Sequence, residues 1–575
     1  MNDDITQPFQ RNRIIVSGDA GGEVLVCQEG LSFWGGVDPE TGKIIDAHHP
    51  NHGDCIAGKC LMMPTSRGSC SGSGVLLQLA LNHLAPAMII FNEMEQVLTL
   101  GSIVCDRIFS SKIPIIFLTK DCYAAVADEP WVELNHTQIQ AGRTNIVLEP
   151  VLLDQFNLSA NDQEYLRGAH GEINKAAMET ILIMGAVENA PELVDVEKGH
   201  IDGCILAHNA NLIFAEKMVQ LGAKVKIPTT INAISVDREN WQKSGLSNDF
   251  GSRASRLAQA YVDMGVEPTF TCAPYLLSNK PKFGQKIGWS ESNAVIFANT
   301  VLGARTQKHP DYLDLFIAMT GRAPAVGVYS SSGRAAKVRI HVDVPNRWQS
   351  SDEVLWPLIG WLAGKLAPDS IPLLTGLQNL KPSVDDLKSL CAAFGTTSGA
   401  PMLHILGHTP EASDQTQSAL PTLKIKTANL REAWLELNRG IEKIDLVAIG
   451  SPHASIDEIR RIKTLLGGRK CHSTTHMKIT TARDTIKLAD IEGITETLEK
   501  SGVHLMPDMC WCSIVEPIFP IDAKGLMTNS GKYAHYAHGL SNRHSRLGSL
   551  EDCVNAAVSG YASLEIPCWL EEKQG

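Results

Sequence analysis

Cys510 and Cys512 stand two residues apart in HLMPDMCWCSIV (His504–Val515), with Asp508 beside them. Thiols at that spacing either share one face of a strand or cradle a metal from a loop. No CxxC pair occurs among the 14 cysteines, which excludes a structural zinc ribbon. Cys272 ends a β-like run in FTCAPYL (Phe270–Leu276) directly before Ala-Pro, where it either faces a ligand at a strand end or fills the core. TSRGSCSGSG (Thr65–Gly74) sets Arg67 among serines and glycines ahead of a helix expected at Val75–Ala85. Backbone N–H groups at such a start, with an Arg, favour a carboxylate; a flexible cap is the alternative. The spacing fits neither GxGxxG nor the P-loop, so nucleotide binding is not implied.

Four further loops carry polar groups. WSESNAVIFANTVLGART (Trp289–Thr306) offers Glu291, Asn299 and Arg305, to cap a helix or line a pocket. TNSGKYAHYAHG (Thr528–Gly539) gathers Asn529, Ser530, Lys532, Tyr533 and His535 in a Gly-containing turn, with Lys532 as carboxylate ligand or surface cation. FGTTSGAP (Phe394–Pro401) is a hydroxyl-rich turn, and IGSPHAS (Ile449–Ser455) is a strand end with Ser451 and His453 whose Ser455 caps the next helix. So many small, polar, Gly-bearing loops at strand ends point to one polar cleft.

The elements that must hold these loops read as α/β. From Arg13 to about Asp128, short runs such as RIIVSG, AMIIFN and IPIIFLT alternate with Gly-rich turns and one conspicuous helix, VLLQLALNHLA. Glu129–Arg143 shows no clear period, and the boundary is placed near residue 145. Ser159 caps a long helical pattern, after which strand-like segments (GCILA, KVKIPTTI, PTFTCA, AVIFAN, AVGVY, VRIHVDV, MLHILG, LVAIG, GVHLMP) alternate with helical ones. That alternation argues for layers around largely parallel sheets. The expected division is residues 1–145 and 146–575, the latter with sub-lobes 146–424 and 425–575.

Length sets a prior of three or four units at about 150 residues each. With 44% hydrophobic and 20% charged residues the chain is an ordinary globular one, and disordered or fibrous classes are excluded. A formal charge of -12 with no block of Lys/Arg disfavours nucleic acid. The acidic start MNDDITQPFQRNRII offers no targeting segment and no apolar run reaches membrane-spanning length, so a cytoplasmic protein with mostly reduced thiols is expected.

Together SRGSCSGS, GEINKAAMETILIMG, KIPTTINA, TCAPYL, WSESNAV, VLGART, GSPHAS, PDMC and MTNSGKYAHY resemble the aconitase X family across nearly the whole chain. The resemblance implies an aconitase-like multidomain fold, a small swivelling β/α domain fused to a large part made of α/β lobes. In that family the two parts are separate polypeptides in archaeal mevalonate 5-phosphate dehydratases and fused in cis-3-hydroxy-L-proline dehydratases, and this chain is similar to the fused type. The implied enzyme is an iron-sulfur hydro-lyase whose cluster acts as a Lewis acid, and separately a monomer is expected. It implies thiolates at Cys272 and Cys510. The archaeal pattern has a further cysteine where this sequence reads Gly450-Ser451-Pro452-His453, so a two-iron two-sulfur cluster is expected, with three- and four-iron types as alternatives. Cys512 is the replacement ligand, with Cys391 and Cys204 as rivals.

In cis-3-hydroxyproline the C2 hydrogen lies opposite the hydroxyl, so elimination giving an enamine and then 1-pyrroline-2-carboxylate is anti. It needs a base, cations on the carboxylate and a Lewis acid on the leaving hydroxyl, each tenfold gain requiring about 1.4 kcal/mol. The matching positions assign Ser69 as base or proton relay, supported by Arg67 and nearby N–H groups. Arg67 and Lys532 hold the carboxylate, Thr230, Asn232 and Ser398 orient the ring with Asn529 and Ser530 beside them, and Glu291 assists protonation of the leaving hydroxyl. Two other readings are a different hydroxy acid such as mevalonate 5-phosphate, and an iron-responsive RNA-binding protein.

Overall fold

A computed structural model describes residues 11–153, 156–417 and 419–571; the first ten residues, on which part of the targeting expectation rests, lie outside them. The chain divides into two compact units, Met1–Thr229 with Asp263–Gly265 and His309–Val326, and Thr230–Val262 with Val266–Lys308 and Gly327–Gly575. Among the described residues no helix is long and apolar enough to cross a membrane.

The first unit is built on a nine-stranded mixed sheet. Its middle is parallel: Ala20–Val26, Cys60–Met62, Met88–Phe91 and Ile115–Phe117 pair in that order. Of these, Cys60–Met62, Met88–Phe91 and Ile115–Phe117 are buried throughout, so helices must cover them. Three occur in this stretch, Gly72–Leu81, Val97–Phe109 and Lys120–Ala127, where the sequence suggested one. The stretch expected to be aperiodic instead forms the antiparallel strands Trp131–Asn135 and Gln138–Ala141, whose burial alternates residue by residue. The sheet runs past residue 145, through Thr144–Val147 to Glu149–Pro150, which pairs with Arg13–Val16. Ser159 does cap a helix, Ala160–Leu166, with a full capping box, but a break at Gly168–Gly171 separates it from Glu172–Val187.

The second unit holds two wholly parallel sheets. One has the order His404–Ile405, Pro372–Thr375, Val338–Val342, Thr422–Ile425. The other has the order Val503–Pro507, His476–Thr481, Leu446–Ile449, Leu526–Thr528, Ser545–Leu547. Because Thr422–Ile425 still belongs to the first of these sheets, the last lobe begins nearer Leu446 than residue 425. AVIFAN is helical, Ser292–Phe297 running into a π turn at Ala298–Leu302. A short apolar run without flanking turn signals does not distinguish a strand from a buried helix. PTFTCA joins no sheet; Cys272 lies in a bend ahead of a short 3-10 turn, Pro274–Leu276.

Candidate active site

In the five-stranded sheet the chain starts at the central strand Leu446–Ile449 and steps outward to His476–Thr481 and Val503–Pro507. Only then does it cross to Leu526–Thr528 on the other side of the centre. The order reverses between Leu446–Ile449 and Leu526–Thr528, so the loops leaving their carboxyl ends diverge. Open α/β sheets bind ligands in the crevice at such a reversal. The two loops here are GSPHAS and the start of TNSGKY, and the loop after Val503–Pro507 carries Cys510 and Cys512.

The three thiols expected to act together do meet. Cys272, Cys510 and Cys512 pack together with Ala233. Hydrogen bonding with Cys272, then burial, pushes the Cys510 thiol up; hydrogen bonding with Cys510, then burial, does the same for Cys512. Between them Trp511 points away, donating its indole N–H to Ile449 O (2.7 Å). The cysteines therefore sit in a turn, not along a strand. Asp508 anchors that turn in the left-handed region (φ 66°), accepting from Arg483 Nε (3.0 Å) and Nη2 (2.6 Å) and from Arg238 N (3.0 Å). Its φ is costly for a non-glycine, and the three bonds from Arg483 and Arg238 help hold it.

Cys272 is reached from the GSPHAS loop: His453 N–H donates to its Sγ (3.3 Å). The His453 ring, 1% exposed, links Thr271 Oγ1 (3.1 Å) to Met509 O (2.7 Å), and burial pushes its pKa down to about 4, so it is neutral. Nearby, Ser451 Oγ is buried without a protein partner, as is Ser290 Oγ. Orphaned hydroxyls at a ligand crevice are an unmet demand for a partner. A cluster of soft thiols, two buried and one half-buried, with a spare hydroxyl in the adjoining loop fits an iron-sulfur group, whose thiolates spread over more than one iron. Cys391 is instead buried in the apolar core of the second unit.

Lys532 is not a surface cation. It opens the helix Gly531–Ser541 and pairs with Glu291 Oε1 at 2.8 Å, the side chains 11% and 12% exposed. Burial works against the Lys532 charge, but Glu291 and then the three cysteines outweigh it and hold its pKa well above the usual value. Burial likewise opposes the Glu291 charge and is outweighed by Lys532 and by Asn293, which donates to the carboxylate from its backbone and side chain. The Glu291 carboxylate is the group that holds Lys532. Asn293, which the sequence reading missed, also donates to Cys272 O (3.1 Å) and accepts from Tyr275 OH (2.9 Å). Its place two residues after an N-cap Glu was the available signal.

Other expected residues take structural roles. Ser398 Oγ donates to Ala367 O (2.7 Å), closing the helix Val384–Thr397. Ser530 Oγ donates to Ser451 O and accepts from Tyr533 N (3.0 Å) as an N-cap. Both hydroxyls are committed to backbone. Asn529 Nδ2 is 3.5 Å from Glu458, which with Asp385 holds the buried Lys388. Asn299 bonds Thr306 and Pro401, and Arg305 bonds Tyr329 O and Ser331, so both brace the fold. Thr230 and Asn232 are 7% and 3% exposed, on the segment that runs beside Met509.

In the first unit, Ser69 lies in the turn before Gly72–Leu81, a helix starting three residues earlier than expected. Ser69 Oγ accepts from Ser71 N (3.3 Å), which supplies one of the expected N–H contacts. Arg67 is exposed and faces Glu29 (3.6 Å). The helix start expected to attract an anion meets the protein's own Asp311, to which Ser71 Oγ donates (2.7 Å). Among the described residues a tight group of possible ligand atoms, all within 4.8 Å, lies here at Cys70, Asp202 and Asp311. It is already a hydrogen-bond network, the Cys70 thiol donating to Asp202 Oδ2 (3.6 Å).

Comparison with known proteins covers both units. Four family models match: the aconitase X swivel domain at residues 10–141, and the first, second and third domains at 155–332, 336–435 and 444–559. The chain is 43% identical over 573 residues to cis-3-hydroxy-L-proline dehydratase of Pseudomonas aeruginosa, covering 97% of this chain and 98% of the relative. It is 42% identical over 570 residues to the protein of that name from Hypocrea jecorina, covering 96% of each. The crystal structure of Thermococcus kodakaraensis aconitase X in its holo-form is 30% identical with a TM-score of 0.63, covering 70% of this chain and 99% of that one.

Proposed function

The chain belongs to the aconitase X family, and on that premise we propose that it is a hydro-lyase removing water from cis-3-hydroxy-L-proline to give 1-pyrroline-2-carboxylate through an enamine. The observation that carries the reading is the buried Lys532–Glu291 pair within electrostatic reach of three clustered thiols. The near full-length likeness to two proteins named for this reaction supports the substrate.

Cys272, Cys510 and Cys512 would hold an iron-sulfur cluster, taken as two-iron two-sulfur because the archaeal pattern's further cysteine is replaced at Gly450–His453, and the cluster when bound supplies a Lewis acid for the departing hydroxyl. Lys532 is a fixed ammonium for the substrate carboxylate, held in place by Glu291, and Thr230 and Asn232 orient the ring. Ser69 is the proposed base: as the alkoxide it takes the C2 proton and becomes the neutral hydroxyl, the C–H electron pair forms the C2=C3 bond, and the C3–O bond breaks as the departing hydroxide takes a proton from solvent and leaves as water; Ser69 then returns its proton to solvent. The N–H donated from Ser71 is the kind of contact that stabilises a developing alkoxide. The enamine then moves its nitrogen proton to C3, giving the imine.

The reading also takes the swivelling domain to end beyond Pro150 and the enzyme to be a cytoplasmic monomer without a nucleic-acid partner, in keeping with its net charge of -12. The test offers anaerobically purified protein cis-3-hydroxy-L-proline and mevalonate 5-phosphate in parallel. Pyrroline-2-carboxylate is detected by its NADPH-dependent reduction. Turnover of the proline is expected; turnover of the phosphate alone would overturn the substrate assignment.

A further inference from the structure

A sulfur ligand is useful only if the backbone around it is fixed, and outer hydrogen bonds commonly do that fixing. The segment Gly450–Ala454, after the central strand Leu446–Ile449, is pinned along its whole length. Thr480 Oγ1 donates to Gly450 O (2.7 Å), Ser530 Oγ to Ser451 O, and Lys388 Nζ to His453 O (3.2 Å). Ala454 N donates to Thr480 O (3.0 Å), and Thr481 Oγ1 to Ala454 O (2.7 Å). Lys388 is itself 3% exposed and gripped by Asp385 (2.9 Å) and Glu458.

From that rigid seat one residue reaches both cysteine loops. Met509 O, one residue before Cys510, can only accept, so His453 Nε2 carries the ring hydrogen. In the neutral ring Nδ1 is then an acceptor, and Thr271, one residue before Cys272, donates its hydroxyl to it. The His453 backbone N–H ends on Cys272 Sγ itself. Three bonds from one buried residue thus address the neighbour of Cys272, the neighbour of Cys510, and the Cys272 sulfur.

We propose that His453 is a positioning residue that clasps the Cys272 and Cys510 loops at a fixed separation and, through its N–H to Cys272 Sγ, sets the electronic state of the group those thiols hold. The proposal rests on the cluster reading above. It assigns His453 no contact with substrate.

The experiment compares wild type with His453→Leu, His453→Gln and Thr271→Val after anaerobic reconstitution with iron and sulfide. It measures iron and acid-labile sulfide per chain, the visible and paramagnetic resonance spectra, and the reduction midpoint. His453→Leu is expected to retain the cluster roughly ten-fold less well, the size seen when outer-shell partners of a metal site are removed. Thr271→Val and His453→Gln, which lose one bond each, should fall between and show a shifted spectrum and midpoint in the fraction that stays loaded. A folded His453→Leu with wild-type iron, spectrum and midpoint overturns the proposal. If that variant does not fold, unchanged iron, spectrum and midpoint in both milder variants overturn it equally. A wild type that takes up no iron overturns the cluster reading and this proposal with it; a loaded wild type with indifferent variants overturns this proposal alone.

Discussion

Replacing Lys532 by Met leaves the Glu291 carboxylate buried with only Asn293 for company. At the observed 2.8 Å the pair interacts by about 6 kcal/mol with an effective dielectric of 20. Desolvation of both groups, each under an eighth exposed, offsets much of that, and breaking a buried pair from one side costs about 3–5 kcal/mol. Lys532→Met should therefore destabilise the protein by about 3 kcal/mol, and Glu291→Gln by about 2 kcal/mol, because the amide still bonds Asn293. The double variant removes both charges together and should cost about 2 kcal/mol less than the sum. The assay is the urea midpoint of each variant multiplied by the slope of the transition. Additivity within about 0.5 kcal/mol would refute the reasoning, since groups that do not touch add to that accuracy. Turnover should also fall roughly 10²-fold in Lys532→Met if the ammonium clamps the substrate carboxylate.

Three further outcomes follow. Cys272→Ala and Cys512→Ala should each lose iron, whereas Cys391→Ala, which trims a core side chain of the second unit, should keep wild-type iron; metal analysis after anaerobic purification checks both. Ser69→Ala should keep its iron and lose turnover roughly 10²-fold, the low end for a positioned acid or base; near-full activity would dismiss Ser69 as the base. Gly450→Ala places a Cβ against the Thr480 carbonyl oxygen at a φ of 99°, so it should destabilise by at least about 2 kcal/mol, read as a lowered thermal midpoint.

The parallel lobes were legible because central strands such as Leu446–Ile449 are buried on both faces, which leaves continuous apolar runs such as LVAIG. The hairpin at Trp131–Ala141 was not recognised, although Val132, Leu134, Ile139 and Ala141 alternate with exposed residues as a half-buried hairpin requires. Spacing alone left Cys272 and Cys510 unconnected, since they are 238 positions apart and meet through tertiary packing; the family motifs paired them. Local propensity also misplaced Lys532. A Gly before a Lys reads as a turn, whereas Gly531 is the first helical residue and lies so close to Pro357 that a Cβ would clash there. The Lys388, Asp385 and Glu458 network under His453 draws on two helices and left no local signature, because ordinary surface helices carry the same charges.

The central claim is that Cys510 belongs to an iron-sulfur site on which dehydration depends. The most direct measurement counts iron and sulfide per chain and turnover of cis-3-hydroxy-L-proline on the same anaerobic samples of wild type and Cys510→Ala. The account predicts a loaded, active wild type and a folded variant that has lost both metal and turnover. A Cys510→Ala protein that dehydrates the substrate at the wild-type rate would contradict it.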